Sequence, residues 1–467
     1  VSAQPAPEEG DEAPDAEVTE TPEAEVVDAP ESDVSEPQQR VWSRVGKQSV
    51  VPYKEPHYPE DERGIGMPGN PETDLDEAFP GRGSVLPSIP PPRPYFEFKE
   101  SLYERIGLKL AFNYSMLAWG ASSAKPAGEG LSQGKQTAWA GILQVETQWV
   151  LYQREKDYPG SLVVVFDWRH AFQDAAEPAF WLLDTGSMWA HDFIFLNWGP
   201  WFPTLYYEQV FKKDVFVLRV GQFASALQFI DFFRFKDSRT SFSGSTQTLP
   251  GHIIPFAPPG FGIQFDLRPF KRDELYISGI IHDQNGVPDK YSWNEFFTKG
   301  DHFYGLEIGH FWKRSPRDFD HVHVNVAYSA AADQESPAAF ALGVGNEPGW
   351  LFKAHGSKQI NRWVVFGNYT FNTTEGGPQG ATNSDHSVTA GVAFLRPLDI
   401  NGEWAFGTSW ARHIAGLGNQ YGIETYWKIL FAEDLWVTPN LQLIFNPLFN
   451  TTKTVLAVGG IKLRLFF

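Results

Sequence analysis

Cysteine is absent from all 467 residues of the chain. This absence excludes a disulfide framework, a zinc site built from thiolates, and catalysis by a thiol. It also suits a protein that crosses an oxidising compartment unfolded. The sequence opens with Val1-Ser2-Ala3-Gln4 and contains no recognisable signal peptide, so we interpret it as already processed.

Long apolar runs are also missing, because no stretch reaches the roughly eighteen residues that a membrane-spanning helix needs. Hydrophobic residues make up 42% of the chain and the mean hydropathy is -0.32, which excludes a helical membrane protein. Aromatic residues, in contrast, reach 15%, with 17 Trp, 16 Tyr and 38 Phe. Transmembrane β-barrels use such residues at both membrane interfaces. On composition alone, an aromatic-rich β-sandwich such as a lectin domain is the alternative.

Basic residues are absent from residues 1–39, which hold thirteen Asp and Glu and six prolines. This low-complexity segment cannot bury enough apolar surface to offset the entropy of ordering, so we predict that it is disordered. Residues 40–99 are rich in proline, and we expect a periplasmic extension or linker that either docks on the following domain or serves as a tether. The net charge of -19 argues against nucleic acid as a partner.

From about residue 100 to the end, apolar and polar residues alternate. The odd positions from Val455 to Phe467 are apolar or glycine, whereas Lys462 and Arg464 lie at even positions. A period of two predicts a strand with one apolar and one polar face. Runs of about ten residues span a bilayer as tilted strands. We therefore predict an all-β fold over residues 100–467, an outer-membrane β-barrel with lipid around its apolar face and water inside.

We count about sixteen strand-like runs, an even number as expected for a single-chain bacterial barrel and large enough to leave an aqueous channel. Short turns alternate with long loops, and the longest irregular piece, about residues 223–257, is expected to fold into the lumen. The runs begin near residues 104, 135, 160, 187, 201, 213, 258, 273, 300, 319, 338, 358, 385, 400, 419 and 454, with 435 as an alternative start.

Candidate channel-lining residues are polar and of mixed charge. Mixed charge around a water-filled tube suits polar, largely neutral solutes, whereas a ladder of one sign favours ions of the opposite sign. The alternative is that each is an ordinary solvated lumen residue. The candidates are Lys109, Glu146, Asp167, Arg169, Arg219, Asp231, Arg234, Arg239, Asp266, Arg268, Glu307, His321, His323, Glu424, Lys428, Lys462 and Arg464.

The long segment 223–257 interleaves aromatic and charged residues, including Phe232, Phe233 and Arg234. Aromatic faces stack on sugar rings, and Asp and Arg supply directional hydrogen bonds to hydroxyl groups. A selectivity element in the pore is one interpretation. Packing of the loop against the barrel wall is the other.

Chemistry beyond transport has little support in the sequence. His321 and His323 lie on one face of one predicted strand and could share a metal ion, but the sequence shows no third ligand, so we predict no metal site. Nucleotide loops and hydrolase motifs are absent. We therefore expect no enzyme activity and no cofactor.

Short motifs in order along residues 100–467 resemble the carbohydrate-selective porin family (OprB-like). They include Gln133-Gly134, Leu205-Tyr206-Tyr207-Glu208-Gln209 with Arg219-Val220-Gly221-Gln222-Phe223, and Pro258-Pro259-Gly260-Phe261-Gly262. The most specific is Pro439-Asn440-Leu441-Gln442 followed by Asn446-Pro447. A terminal aromatic, Phe467, resembles the signature by which the outer-membrane barrel assembly machinery recognises its substrates.

The resemblance implies a sixteen-stranded barrel in a Gram-negative outer membrane, with monosaccharides and short oligosaccharides passing by facilitated diffusion. The first 95 residues have no recognisable counterpart in that family. A general diffusion porin is one alternative. A barrel anchor whose acidic tail, within residues 1–94, tethers a cell-wall or periplasmic partner is another.

Overall fold

The computed structural model describes most of the chain from residue 93 onward. The acidic segment 1–39, nearly all of the proline-rich segment, and the proposed assembly signal Phe467 lie outside the described residues. The described residues are 85–86, 93–129, 131–154, 156, 158–172, 174–212, 215–225, 229–248, 260–269, 275–285, 293–315, 318–330, 348–373, 384–400, 402–414, 416–432 and 435–466.

Sixteen antiparallel strands form a closed barrel, in which each strand pairs with its neighbours in sequence and β1 pairs with β16. This confirms the predicted fold class. The strands are β1 (Leu108–Ala121), β2 (Thr137–Tyr152), β3 (Gly160–Ala171), β4 (Gly199–Lys212), β5 (Phe216–Phe223), β6 (Gly260–Leu267), β7 (Leu275–Asp283), β8 (His302–Ser315), β9 (Asp318–Ser329), β10 (Gly349–Ile360), β11 (Trp363–Asn372), β12 (Ser384–Leu395), β13 (Gly402–His413), β14 (Asn419–Ala432), β15 (Leu435–Phe445) and β16 (Val455–Phe466).

The helices among the described residues are short, and none of them is part of the barrel wall. Among the described residues, none is both long and apolar enough to cross a membrane. They are α1 (Arg93–Ile106), α2 (Leu182–Thr185), α3 (Ser245–Thr248), α4 (Trp293–Thr298) and a 3₁₀ turn (Pro397–Asp399).

Burial alternates along the strands as the sequence pattern predicts. In β9, the side chains of Val322 and Val324 are exposed on the outer face, whereas those of His321, His323 and Asn325 are buried on the inner face. An outer face on which apolar side chains recur at alternate positions is the arrangement expected where lipid surrounds a barrel.

Exposed aromatic side chains form two belts on the outer face, near the two ends of the strands. Amphipathic rings favour the membrane–water interface, so the belts mark the two edges of the apolar band. The belt at one end contains Trp139, Trp168, Tyr304, Trp350, Tyr369 and Tyr421, and the belt at the other contains Trp149, Tyr152, Phe211, Trp312, Trp363, Trp404 and Phe431.

The two ends of the barrel differ in the length of their connections. A turn of two residues, 361–362, joins β10 and β11 at one end, where α1 leads into β1. At the other end the connections include residues 172–198 and 224–259. This asymmetry between short turns and long loops is typical of outer-membrane barrels.

Five of the predicted strand starts differ from the structure. The run near residue 104 begins within α1, and its strand, β1, starts at Leu108, whereas the run near 187 lies inside the barrel and is not a strand. The alternative start at 435 is a true strand, β15, which restores the count to sixteen. The runs near 338 and 358 correspond to β10 and β11, which begin later, at Gly349 and Trp363.

Replacing Val324 by Arg tests the outward orientation, because Val324 lies near the middle of β9 and is exposed. We expect the free energy of unfolding to fall by about 2–4 kcal/mol, the cost of a cation near the bilayer midplane. The matched control is Val455→Arg, at the loop end of β16, where the cost is about 0–1 kcal/mol. Reversible unfolding in lipid vesicles measures both values, and equal costs would contradict the lipid-facing assignment.

Candidate functional site

Two loop segments enter the barrel. The first inner segment, residues 187–196, belongs to the connection between β3 and β4, and the second inner segment, residues 229–248, belongs to the connection between β5 and β6. Most side chains of both segments are buried. The prediction that the long irregular piece folds into the lumen is thus confirmed for residues 229–248, whereas the first inner segment was not foreseen.

A glycine turn directs the first inner segment inward. Helix α2 ends at Gly186, which has φ +76°. A Cβ at this position would lie 2.7 Å from the backbone nitrogen of Asn450, so both the conformation and the close approach require glycine.

Lys462 and Arg464, both on β16, hold the second inner segment. The Lys462 ammonium donates hydrogen bonds to the carbonyl oxygens of Ser238 (2.9 Å) and Ser241, and to Ser243 Oγ (2.7 Å). Arg464 pairs with Asp237 at 2.7 Å. Charge-assisted hydrogen bonds of this kind are about twice as strong as neutral ones.

Glu424 on β14 also binds the second inner segment, through a negatively charged side chain where Lys462 and Arg464 are positively charged. Its carboxylate accepts hydrogen bonds from the backbone N–H groups of Ser243 (2.6 Å) and Gly244 (2.9 Å), and from Asn440 Nδ2 (2.7 Å). A Cβ on Gly244 would lie 2.9 Å from Glu424 Oε2, so a larger residue here would require the carboxylate to shift.

The start of the second inner segment is held by a separate group of residues. Asp231 forms an ion pair with Lys353 on β10, and its backbone N–H donates to Glu307 on β8. Asp231 Oδ1 also lies 3.3 Å from His323 Nε2. Glu307 in turn accepts a hydrogen bond of 2.6 Å from the Tyr276 hydroxyl.

Three histidines lie together on the inner wall beside Asp231. His323 on β9 pairs in register with His355 on β10, and His321 lies two residues before His323. The ring centroids are 4.9–5.2 Å apart. One ligand atom from each ring lies within 4.8 Å of the others, and the same holds for Asp231, Glu307 and His323. The third ligand that the sequence did not reveal is therefore present.

Arg219 on β5 connects three neighbouring strands. Its guanidinium pairs with Glu208 at 2.8 Å and with Asp266, and it donates to Gln264 Oε1 at 2.6 Å. It also lies 4.8 Å from the ring centroid of Phe229 in the second inner segment, a cation–π contact.

Arg169 on β3 contacts the first inner segment. It pairs with Asp167 at 2.7 Å and donates to the carbonyl oxygen of Ile194 at 3.0 Å. Gln144 Nε2 donates to the same Asp167 at 2.9 Å.

The two inner segments also bind each other. The backbone N–H of Ser245 donates to the Ala190 carbonyl at 2.9 Å, and Ser238 Oγ donates to Asp192 Oδ1 at 3.3 Å. Asp192 belongs to a loop and not to a membrane-spanning strand. Its burial raises its pKa from 3.8 to about 7, although the Lys462 charge and hydrogen bonds from its neighbours oppose the increase.

The remaining predicted residues lie at other levels of the barrel. Lys109 approaches the Tyr103 ring of α1, with 5.7 Å from Nζ to the centroid, and Lys428 approaches the Trp436 ring at 4.5 Å. Other contacts are Asn113 to Glu146 at 2.8 Å, Arg234 to Gln359 at 2.5 Å, and Arg239 to Asp237 at 2.8 Å and to Gln144. Arg268 lies one residue beyond β6, in a short turn, and not along a strand.

Sequence reasoning missed several residues of this network, including Lys353 and His355. The signal for both was present, since Leu351, Lys353 and His355 alternate with Trp350 and Phe352. This run is not recognised as one strand because the predicted strand starts, near 338 and 358, lie on either side of it.

The described lumen is narrower than the number of strands alone predicts. Glu307, Lys462 and Arg464 have 0% exposure, and Glu424 has 3%. Residues on the inner wall of a wide channel would be exposed to water, so the inner segments cover these residues and narrow the lumen at their level.

Comparison with solved structures identifies the architecture. The high-pH structure of Pseudomonas putida OprB matches with a TM-score of 0.57 and 13% identity, over 80% of this chain and 97% of OprB. The fold is that of a porin-like outer-membrane barrel. A mutant of Rh. blastica porin matches with a TM-score of 0.46 and 12% identity, over 77% of this chain and 100% of that chain. No protein-family model matches the sequence, and no curated protein sequence does.

Replacing Lys462 by Met tests how the second inner segment is held. The change leaves three acceptors of the segment without their ammonium donor, so we expect a loss of about 3–5 kcal/mol in the free energy of unfolding. We also expect a larger and noisier single-channel conductance in planar bilayers. Lys453→Met, an exposed loop lysine, is the control and should change neither quantity. An unchanged conductance in Lys462→Met would contradict a role in narrowing the lumen.

The raised pKa of Asp192 predicts a pH dependence of stability. An acid whose folded-state pKa exceeds its unfolded value stabilises the fold below about pH 4, and this contribution is lost as the pH rises through about 7. Urea unfolding at a series of pH values should therefore show a shallower decline over this range in Asp192→Asn than in the wild type. Asp174→Asn, in an exposed part of the same loop, should keep the wild-type slope. The same slope in all three proteins would refute the prediction.

Proposed function

We propose that this protein is a porin of the bacterial outer membrane that admits small carbohydrates by facilitated diffusion through a lumen narrowed by the two inner segments. The short-turn end, where α1 lies, faces the periplasm in this proposal, as short turns do in outer-membrane barrels. The proposal rests mainly on how charge is arranged inside the barrel.

Charges of the inner wall and inner segments are of both signs, occur in similar numbers, and pair with one another. Such a lining presents no field of one sign to a permeating ion, so it favours neither cations nor anions strongly. Neutral, polar solutes are the class that it suits. The basic members are Lys109, Arg169, Arg219, Arg234, Lys236, Arg239, Lys353, Lys428, Lys462 and Arg464, and the acidic members are Glu146, Asp167, Asp192, Glu208, Asp231, Asp237, Asp266, Glu307, Glu403 and Glu424.

A small crevice between the inner segments and the wall could contact one hydroxyl group of a passing sugar. Its volume is about 10 Å³, roughly the room for one water molecule or hydroxyl group, and its lining includes Trp189, Gln247, Ser409 and Gln442. The amide oxygen and nitrogen of Gln247 are buried without a hydrogen-bond partner among the described residues. A hydroxylated solute would supply partners for both atoms, since an amide both donates and accepts.

Planar-bilayer recordings of the purified protein test the proposal. Under a KCl gradient we expect a reversal potential close to zero, because the paired charges give weak ion selectivity. Adding glucose or maltotriose should reduce the current in a concentration-dependent way. Gln247→Leu should weaken this block by about tenfold, the effect of losing roughly 1.4 kcal/mol of hydrogen bonding, and leave the reversal potential unchanged.

Gln136→Leu, at an exposed loop position, is the matched control and should be blocked by sugars as the wild type is. A current indifferent to all sugars would indicate a general diffusion porin. A strongly displaced reversal potential would indicate a channel for ions, and either result would overturn the proposal.

A further inference from the structure

Three imidazole rings on the inner wall have features that transport of neutral solutes does not explain. His321, His323 and His355 are 0%, 3% and 5% exposed. Buried polar atoms in proteins normally have a hydrogen-bond partner, so unpartnered ones call for an explanation. Nδ1 of His321 and Nε2 of His355 have none among the described residues.

The tautomer of His355 is fixed by its neighbour. Its Nδ1 lies 2.6 Å from Oδ1 of Asn368. An amide oxygen only accepts, so Nδ1–H is the donor and Nε2 carries a lone pair. Nε2 is the atom that has no partner.

The tautomer of His321 follows from the same reasoning in two steps. The Tyr276 hydroxyl donates its single proton to the Glu307 carboxylate at 2.6 Å. The hydroxyl therefore accepts at its second contact, 2.8 Å from His321 Nε2, which must carry the proton. Nδ1 of His321 is left with a lone pair and without a partner.

We propose that His321, His323 and His355 form a binding site for a divalent transition metal ion, with zinc as the best match. Neutral imidazoles whose second nitrogen donates to an amide, hydroxyl or carboxylate are the usual ligands of such ions. Asp231 is the fourth ligand in this proposal, because its Oδ1 lies 3.3 Å from His323 Nε2, and Asp231, Glu307 and His323 form a second group of candidate ligand atoms that shares His323 with the first.

The three histidine rings need to move only modestly to bind a zinc ion. Nitrogens about 2.1 Å from a tetrahedral zinc ion lie about 3.4 Å from one another. One ring nitrogen of each histidine lies within 4.8 Å of the others, so rotations of the rings are needed to bring the three lone-pair nitrogens into range.

A metal ion must compete with the ion pairs that already exist at this site. Lys353 pairs with Asp231, and Lys236 donates to the Asp231 carbonyl oxygen at 3.2 Å, so two cations lie beside the two acids Asp231 and Glu307. A bound metal must displace Lys353 from the Asp231 carboxylate. Because Asp231 lies in the second inner segment, the metal would then link this segment directly to β9 and β10.

Cobalt is a suitable probe, because tetrahedral Co²⁺ with nitrogen ligands absorbs visible light and zinc displaces it. The full chain, prepared without a polyhistidine tag, is refolded into detergent with and without Co²⁺, and Co²⁺ is also added after folding. We expect one Co²⁺ per chain with a tetrahedral spectrum that Zn²⁺ abolishes. His323→Gln and His355→Gln should each weaken binding at least a hundredfold.

Asn368→Ala tests the positioning of His355 and not ligation itself. Loss of a partner that orients a metal-bound histidine typically weakens affinity 10–100-fold, so we expect that range. His170→Asn, a histidine outside the cluster, should bind Co²⁺ as the wild type does. Circular dichroism and heat-modifiable gel mobility confirm that each variant forms the barrel.

Absence of bound Co²⁺ after both procedures would overturn the proposal. Binding that is equal in the wild type, His323→Gln and His355→Gln would also overturn it, because the metal would then lie elsewhere. Binding that survives in folded Asn368→Ala without any loss of affinity would show that the hydrogen-bonded tautomer plays no part.

Discussion

The inability of lipid to form hydrogen bonds is the constraint on which this structure depends. Each backbone N–H and C=O at membrane depth must find a partner within the protein, and a sheet achieves this only by closing. Pairing of β1 with β16, from Asn113 with Phe466 to Ala121 with Val458, completes the closure. With the outer face committed to lipid, most polar side chains of the strands point inward, where function is then confined.

Charges inside the barrel are removed from bulk water, and the protein compensates by pairing them. A buried ion pair roughly balances its desolvation cost against its attraction, so such pairs add little net stability but penalise any arrangement that leaves one partner alone. Lys462, Glu424 and Asp231 thus fix where the inner segments dock more than how firmly the barrel folds. The charged residues that hold the inner segments therefore both narrow the lumen and keep its charge locally balanced.

The alternation of outward and inward side chains within strands could be predicted from the sequence, because a period of two follows directly from strand geometry. The inward direction of Lys462 and His323 could therefore be predicted. Partners across the lumen could not, since Asp237 and Ser243 belong to a loop without periodicity. The strand expected near residue 187 failed for a related reason: Met188 and Trp189 are as apolar as a lipid-facing strand, but they are buried within the barrel.

The long sequence separation between β16 and the second inner segment has a consequence for assembly of the barrel. Lys462 and Arg464 are separated from their partners Ser238 and Asp237 by 224 and 227 positions, and both lie on the final strand. The second inner segment cannot acquire these contacts until that strand has joined the sheet. Contacts of such long sequence separation form late. Constriction of the interior is accordingly one of the last events of maturation, and a partly inserted barrel passes through a hydrated stage with a wider opening.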